Sequence, residues 1–189
     1  MMKKTLIGMV AALGMMAGGA LAQATLSPAN PQPSGLKSGL AVTYAFPVDV
    51  KLLSHAEAAL KQAPVRGKPL AGLSYPEIQG GTALTSGKQH SVAAAIKGYI
   101  KFDEAGTYRL RFFTNDGLNM AIGGVRGGYE TDRTPCSSTG WVNVSIPQAG
   151  WYPLNGLWFQ RLSNSCLEME WQTPSGQKGA VPNSAFGYK

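Results

Sequence analysis

The sequence predicts an all-β domain: an antiparallel β-sandwich or barrel-like fold with one short helix near its N-terminus. Three observations point there. From residue 92 onward, short stretches place apolar residues at every second position, the period of a half-buried strand. Glycine-bearing turns such as Ala105-Gly106 and Ala149-Gly150 separate these stretches at near-regular spacing. Only residues 50–63 carry a helical period.

The chain opens with Lys3 and Lys4, an apolar run over residues 6–16, and Ala20-Leu21-Ala22, a small-x-small cleavage pattern. Residues 1–22 therefore read as a secretory signal peptide. The run is shorter than the roughly 20 apolar residues of a membrane span, and no later stretch supplies one. Residues 23–38 hold Pro28, Pro31 and Pro33 and little to bury, so they read as a Pro-rich flexible leader. Residues 39–189 remain as one domain, long enough to bury a core without staples.

Residues 40–46 alternate apolar and polar with β-branched content and form the first expected strand, ended by Pro47. In the helical segment, Leu52, Leu53, Ala56, Ala59, Leu60 and Ala63 share one face. Ser54 and Glu57 have capping-box spacing, and Pro64 stops the helix. Residues 65–88 are rich in Gly and Pro, with one short strand around 75–78. Strands then follow over 92–102 and 107–114, with Tyr108, Leu110 and Phe112 on one face. Residues 118–122 place Leu118, Met120 and Ile122 together, and residues 123–136 read as a polar loop. Strands over 140–146, 151–162 and 167–171 and a closing segment at 180–188 complete the pattern; Glu168 and Glu170 point outward.

The formal charge is +7, which removal of Lys3 and Lys4 lowers to about +5. The basic residues are scattered, with no run and no basic face, so no nucleic-acid partner is expected. The charge serves solubility and a weak attraction to acidic envelope polymers. Cys136 and Cys166 are the only cysteines. In an exported chain they are expected to form one disulfide, worth roughly 3 kcal/mol by chain entropy. Their spacing matches no zinc site, and only His55 and His90 are available to assist.

Several segments, in order, resemble a PA14 domain. They are Gly39-Leu40-Ala41-Val42-Thr43-Tyr44, Gly98-Tyr99-Ile100-Lys101 with Ala105-Gly106-Thr107-Tyr108, Thr114-Asn115-Asp116-Gly117, Met120-Ala121-Ile122-Gly123-Gly124, Ala149-Gly150-Trp151-Tyr152-Pro153-Leu154, Leu167-Glu168-Met169-Glu170-Trp171 and Val181-Pro182. The resemblance covers roughly 150 residues, the span of one domain. It implies a β-sandwich module of the kind found in bacterial toxins, glycosidases and adhesins. In sugar-binding members, two successive aspartates at the Asn115-Asp116 position hold a calcium ion that binds sugar hydroxyls. Asn115 and Asp116 are thus the implied metal and ligand residues, with calcium as the implied cofactor. Asn115 lacks a carboxylate, and Gly123 stands where the family has a further aspartate; fewer carboxylates mean weaker calcium binding.

Tyr129, Glu130 and Asp132, in the expected polar loop, complete the candidate ligand set with Asn115 and Asp116. A bland reading stands beside it. Asn-Asp-Gly is ordinary turn chemistry, tolerant of left-handed backbone, and Asp116 is suited to capping buried amides. Catalysis is not expected: neither histidine sits in a dyad, and Ser137 and Ser138 lack a nucleophile-elbow context. Two functions remain. One is a periplasmic or secreted carbohydrate-binding module whose partner is a glycan or envelope polymer. The other is a structural or protein-interaction module of the cell envelope with no small ligand.

Overall fold

The computed structural model describes residues 23–162 and 164–189; the expected signal peptide lies outside them. In chain order the elements are β1 (Ala24–Thr25), β2 (Lys37–Ser38), β3 (Ala41–Ala45), α1 (Leu53–Gln62), β4 (Val65–Arg66), β5 (Ser74–Gln79), β6 (Val92–Phe102), β7 (Gly106–Asn115), β8 (Leu118–Ile122), β9 (Val125–Glu130), β10 (Ser137–Ser138), β11 (Val142–Ile146), β12 (Gly150–Gln160), β13 (Asn164–Gln172), β14 (Lys178–Ala180), a 3-10 turn (Asn183–Ala185) and β15 (Phe186–Tyr188). They build two sheets. The first runs β1-β11-β7-β13-β14, with β10 also on β7 and β5 also on β13. The second runs β2-β15-β6-β12-β8-β9, with β3 on β6 and β4 on β3. Nearly all pairings are antiparallel; β1 runs parallel to β11. No helix among the described residues is long and apolar enough to cross a membrane.

Alternation decides the core, because successive strand residues point to opposite faces. On β7, Tyr108, Leu110 and Phe112 are buried while Arg109 faces out. Leu118, Met120 and Ile122 of β8, Tyr152, Leu154 and Trp158 of β12, and Leu167 and Met169 of β13 meet them between the sheets. Phe102 sits edge-on to the rings of Tyr108 and Tyr152, with centroids 4.8 and 5.2 Å away, a geometry that ring quadrupoles favour. The outward Glu170 accepts a hydrogen bond from Arg111 Nε at 2.7 Å.

Helix α1 lies on the outer face of the second sheet. Ala56 is buried there, and Leu53, Ala59 and Leu60 pack with it against Val50, Ala93 and Phe159. The expected capping box does not form: Leu52 is the N-cap, and no side chain caps the helix. Apolar packing therefore holds α1 in place of capping, as is usual for short helices in proteins.

Two other expectations are corrected. The segment 23–38 is not a free leader. Its β1 pairs with β11, Leu26 is buried in the core, and Gln32 brackets Trp151. Gln32 Nε2 donates to the Trp151 carbonyl at 3.1 Å, and Gln32 Oε1 accepts the Trp151 N–H at 2.7 Å. Composition hides this docking, since it uses one apolar side chain and main-chain bonds. The supposed loop 123–136 contains β9, joined to β8 by Gly123-Gly124 with φ of +53 and +81. Two left-handed residues in a two-residue hairpin call for this Gly-Gly pair.

Candidate functional site

Strand β7 belongs to the first sheet and β8 to the second, so Asn115-Asp116-Gly117 carries the chain between them. The turn reading fails here. None of the three residues has positive φ, and the Asn115–Asp116 peptide is cis. Gly117 is required by space: a Cβ there would lie 2.2 Å from the Phe159 ring. The Asp116 N–H donates to the Phe159 carbonyl at 2.8 Å, and the Phe159 N–H to the Gly117 carbonyl at 3.1 Å.

Asp116 does cap buried amides. Its Oδ1 accepts the Thr134 N–H at 3.2 Å and its Oδ2 the Arg161 N–H at 2.7 Å. Burial pushes this carboxyl above its ordinary value, and the two main-chain bonds pull it only part of the way back. Asn115 Nδ2 donates to the Thr134 carbonyl at 2.6 Å. Asn115 Oδ1 is buried and has no hydrogen-bond partner among the described residues. The expected Cys136–Cys166 disulfide is formed, with Cα atoms 6.0 Å apart. Cys166 faces Asn115 across the β13–β7 ladder. The disulfide thus fastens the segment before Cys136, with its Thr134, over the corner.

A pocket of about 630 Å³ opens at this corner, lined by Asn115, Asp116, Asp132, Arg133, Thr134 and Arg161 together with Lys51. Asp49 accepts Arg161 Nε at 2.6 Å and Lys51 Nζ at 3.1 Å. These partners, Arg161 first, hold the Asp49 carboxyl down at about 2. Arg133 is exposed and makes no ion pair with the described residues.

Asn115, Asp116 and Asp132 therefore line one pocket, a proximity of Asp132 to Asp116 that nothing in the sequence fixes. Tyr129 and Glu130 do not line it. Tyr129 projects from β9 on the outer face of the second sheet, opposite Asn119, and Glu130 accepts the Asp132 N–H at 3.2 Å. A single loop over 123–136 had grouped them; the strand separates them. Lys51, Arg133, Thr134 and Arg161 were missed. Thr134 and Arg161 reach Asp116 through main-chain amides, and the Arg161–Asp49 pair spans 112 positions, so no local pattern announces them.

The donor set does not fit calcium. Calcium takes six to eight hard oxygens. The corner offers Asn115 Oδ1, the Asp132 carboxylate and an Asp116 carboxylate already engaged by two N–H groups, still short of that number, and three cationic side chains share the pocket with them. Among the described residues, no group of three or more His, Cys, Asp or Glu is placed to hold a metal ion. Gly123 cannot be restored to aspartate at this position: its Cβ would lie 2.8 Å from the main chain of Ser27.

No family model matches the sequence, and no curated protein does. Solved structures do match its fold. The PA14 domain of the antifreeze protein MpAFP superposes with a TM-score of 0.68 at 15% identity, over 82% of this chain and 93% of that one. The Epithelial Adhesin 6 A domain from Candida glabrata, solved in complex with Galb1-3GlcNAc, gives 0.67 at 13% identity over 89% and 94%. The PA14 sugar-binding domain from an RTX adhesin gives 0.62 at 11% identity over 80% and 99%.

Proposed function

We propose that this chain, which has a PA14-type fold, is an exported, non-catalytic module that binds carbohydrate in the pocket at Asn115 and Asp116. The observation that carries the reading is the set of polar side chains that converge on the corner pocket, Lys51, Asp132 and Arg133. Asp132 and Arg133 are exposed. Arg133 and Lys51 donate to sugar hydroxyls in the pocket and the Asp132 carboxylate accepts from them. The sugar-binding PA14 domain of the RTX adhesin and the Galb1-3GlcNAc complex of the Epithelial Adhesin 6 A domain support this class of ligand. The disulfide supports an exported setting. No histidine lines the pocket, and both Asp116 oxygens are held by main-chain donors, which supports a binding role for the pocket.

A second reading, an envelope interaction module with no small ligand, draws on the same Asp116 geometry, since both oxygens already have structural partners. A glycan array run in chelator with the mature wild type and Arg133→Ala separates the two. Arg133 is exposed and unpaired, so its truncation leaves the fold intact. Carbohydrate binding predicts a retained glycan class that the variant loses. A wild type that retains no glycan, or a variant that retains the same ones, favours the interaction module.

A further inference from the structure

The outer face of the second sheet, beside α1, holds a separate hollow of about 550 Å³ that shares no lining residue with the corner pocket. Its composition follows from register. Lys97 of β6 faces Asn155 of β12, Asn155 faces Ala121 of β8, and Ala121 faces Arg126 of β9. In the next row Ala95 faces Leu157, Leu157 faces Asn119, and Asn119 faces Tyr129. Cross-strand partners share one face, so these side chains form two parallel rows across four strands, about 14 Å at the usual strand spacing; Arg126 and Tyr129 on β9 carry the rows past the residues that line the hollow itself. The alanines leave room in the floor, and the second half of α1 forms a wall with Leu60.

Three polar side chains on the floor of this trough have no partner among the described residues. The side chains of Lys97, Asn119 and Asn155 make no hydrogen bond or ion pair with the described residues. Arg126 lies 4.0 Å from the ring of Tyr129 and meets no carboxylate. Among the described residues that line the hollow, the one acid, Glu57, is already paired with Lys61 at 2.7 Å. A further hollow of about 290 Å³ continues from Lys97 and Asn155 to Tyr99 and Tyr188.

We infer that this trough binds an acidic polysaccharide, a chain of uronate sugars, laid across β6, β12, β8 and β9. The two primary amides are matched donor–acceptor groups for hydroxyls. Lys97 and Arg126 stand at the two ends of one row, where a polymer with recurring carboxylates meets both. Tyr129 and Tyr188 stand at either end, each with a cation over its ring, Arg126 at 4.0 Å and Lys37 at 5.9 Å from the centroid, so a sugar carboxylate arriving there meets ring and cation together. The continuation of the trough beyond one sugar's length fits a polymer better than a monosaccharide. This site does not depend on the corner reading, since either pocket can be disabled alone.

The test is affinity electrophoresis of the mature chain through gels carrying polygalacturonate, its methyl ester, or polyglutamate. Polygalacturonate is expected to retard the wild type, and the neutral ester to bind about tenfold more weakly. Lys97→Gln with Arg126→Gln is expected to weaken the polygalacturonate interaction about tenfold. Asn119→Ala with Asn155→Ala is expected to weaken it severalfold. Arg133→Ala is expected to change nothing, and every variant to keep the wild-type melting temperature. No retardation by polygalacturonate overturns the proposal. So does equal retardation by polyglutamate, which would mark an acidic peptide site or bare charge. Loss in Arg133→Ala with the trough variants intact would move the ligand to the corner.

Discussion

The corner and the trough are built in opposite ways. At the corner almost every polar group has a partner inside the protein: Asp116 holds Thr134 and Arg161, and Asp49 holds Arg161 and Lys51. One buried oxygen, on Asn115, is left over. In the trough the main chain of β6, β12 and β8 is engaged on both sides in a sheet, and Lys97, Asn119 and Asn155 above it have no side-chain partner among the described residues. The same residue types thus serve folding in one place and remain available for binding in the other. Mutations should therefore cost stability at the corner and affinity at the trough.

The largest test of that contrast is removal of the disulfide. Cys136→Ala with Cys166→Ala releases the segment that presents Thr134 to Asp116. Chain entropy predicts a loss of about 3–4 kcal/mol in denaturant unfolding. Glycan binding at the corner should go with it, while polygalacturonate binding persists in the folded fraction. If both binding activities vanish together in protein that is still folded, the two sites are not independent.

Asp116→Ala comes next. It leaves the Thr134 and Arg161 N–H groups without their buried acceptor, for about 2–4 kcal/mol. Asn155→Ala and Lys97→Ala in the trough should stay within about 0.5 kcal/mol of the wild type. Comparable losses at both places, read from unfolding midpoints, would erase the distinction.

These two regions also differ in how far the sequence discloses them. The period-2 pattern of β7, β8, β12 and β13 already sorts Tyr108, Leu110, Phe112, Leu118, Met120 and Ile122 into the core, because strand alternation is a local property. The trough follows from the same alternation once the register is known. The corner does not. Asp116 is tied to Arg161 and Thr134 by main-chain amides, which carry no residue identity. Gly117 looked like a turn glycine but answers to the Phe159 ring, 42 positions away in the chain. Tyr129 was misplaced because two glycines, Gly127 and Gly128, disguised a strand as a loop. Both are buried on the inner side of β9, where a Cβ on Gly128 would lie 2.5 Å from the Phe112 ring.

A smaller effect concerns the cation. With the Asp116 carboxylate engaged by two N–H groups and three basic side chains in the pocket, the corner should gain nothing from calcium. Thermal melts with calcium and with chelator are expected to coincide. A rise in melting temperature with calcium that Asp116→Ala abolishes would show binding linkage and make the corner an ion site after all.

The smallest effect is also the most specific to the corner, because it rests on two acids that share Arg161. Burial raises the Asp116 carboxyl above its ordinary value of 3.8. The folded state then binds more protons than the unfolded one between that value and the raised one, so stability falls as pH rises through this window. Asp49 is the reverse: its carboxyl is lowered from 3.8 to about 2 by Arg161 and Lys51. Its contribution is present above 3.8 and lost as pH falls towards 2, and since Asp49 is exposed, salt screens it. Unfolding free energies measured from acid to neutral pH should separate the pair. Asp116→Asn is expected to flatten the profile above 3.8 and leave the acid limb alone, whereas Asp49→Asn should change only the acid limb, and less so in high salt. If Asp116→Asn instead removes stability that grows with pH, then main-chain bonding outweighs burial at Asp116, and the carboxylate is held as an anion for the pocket to use.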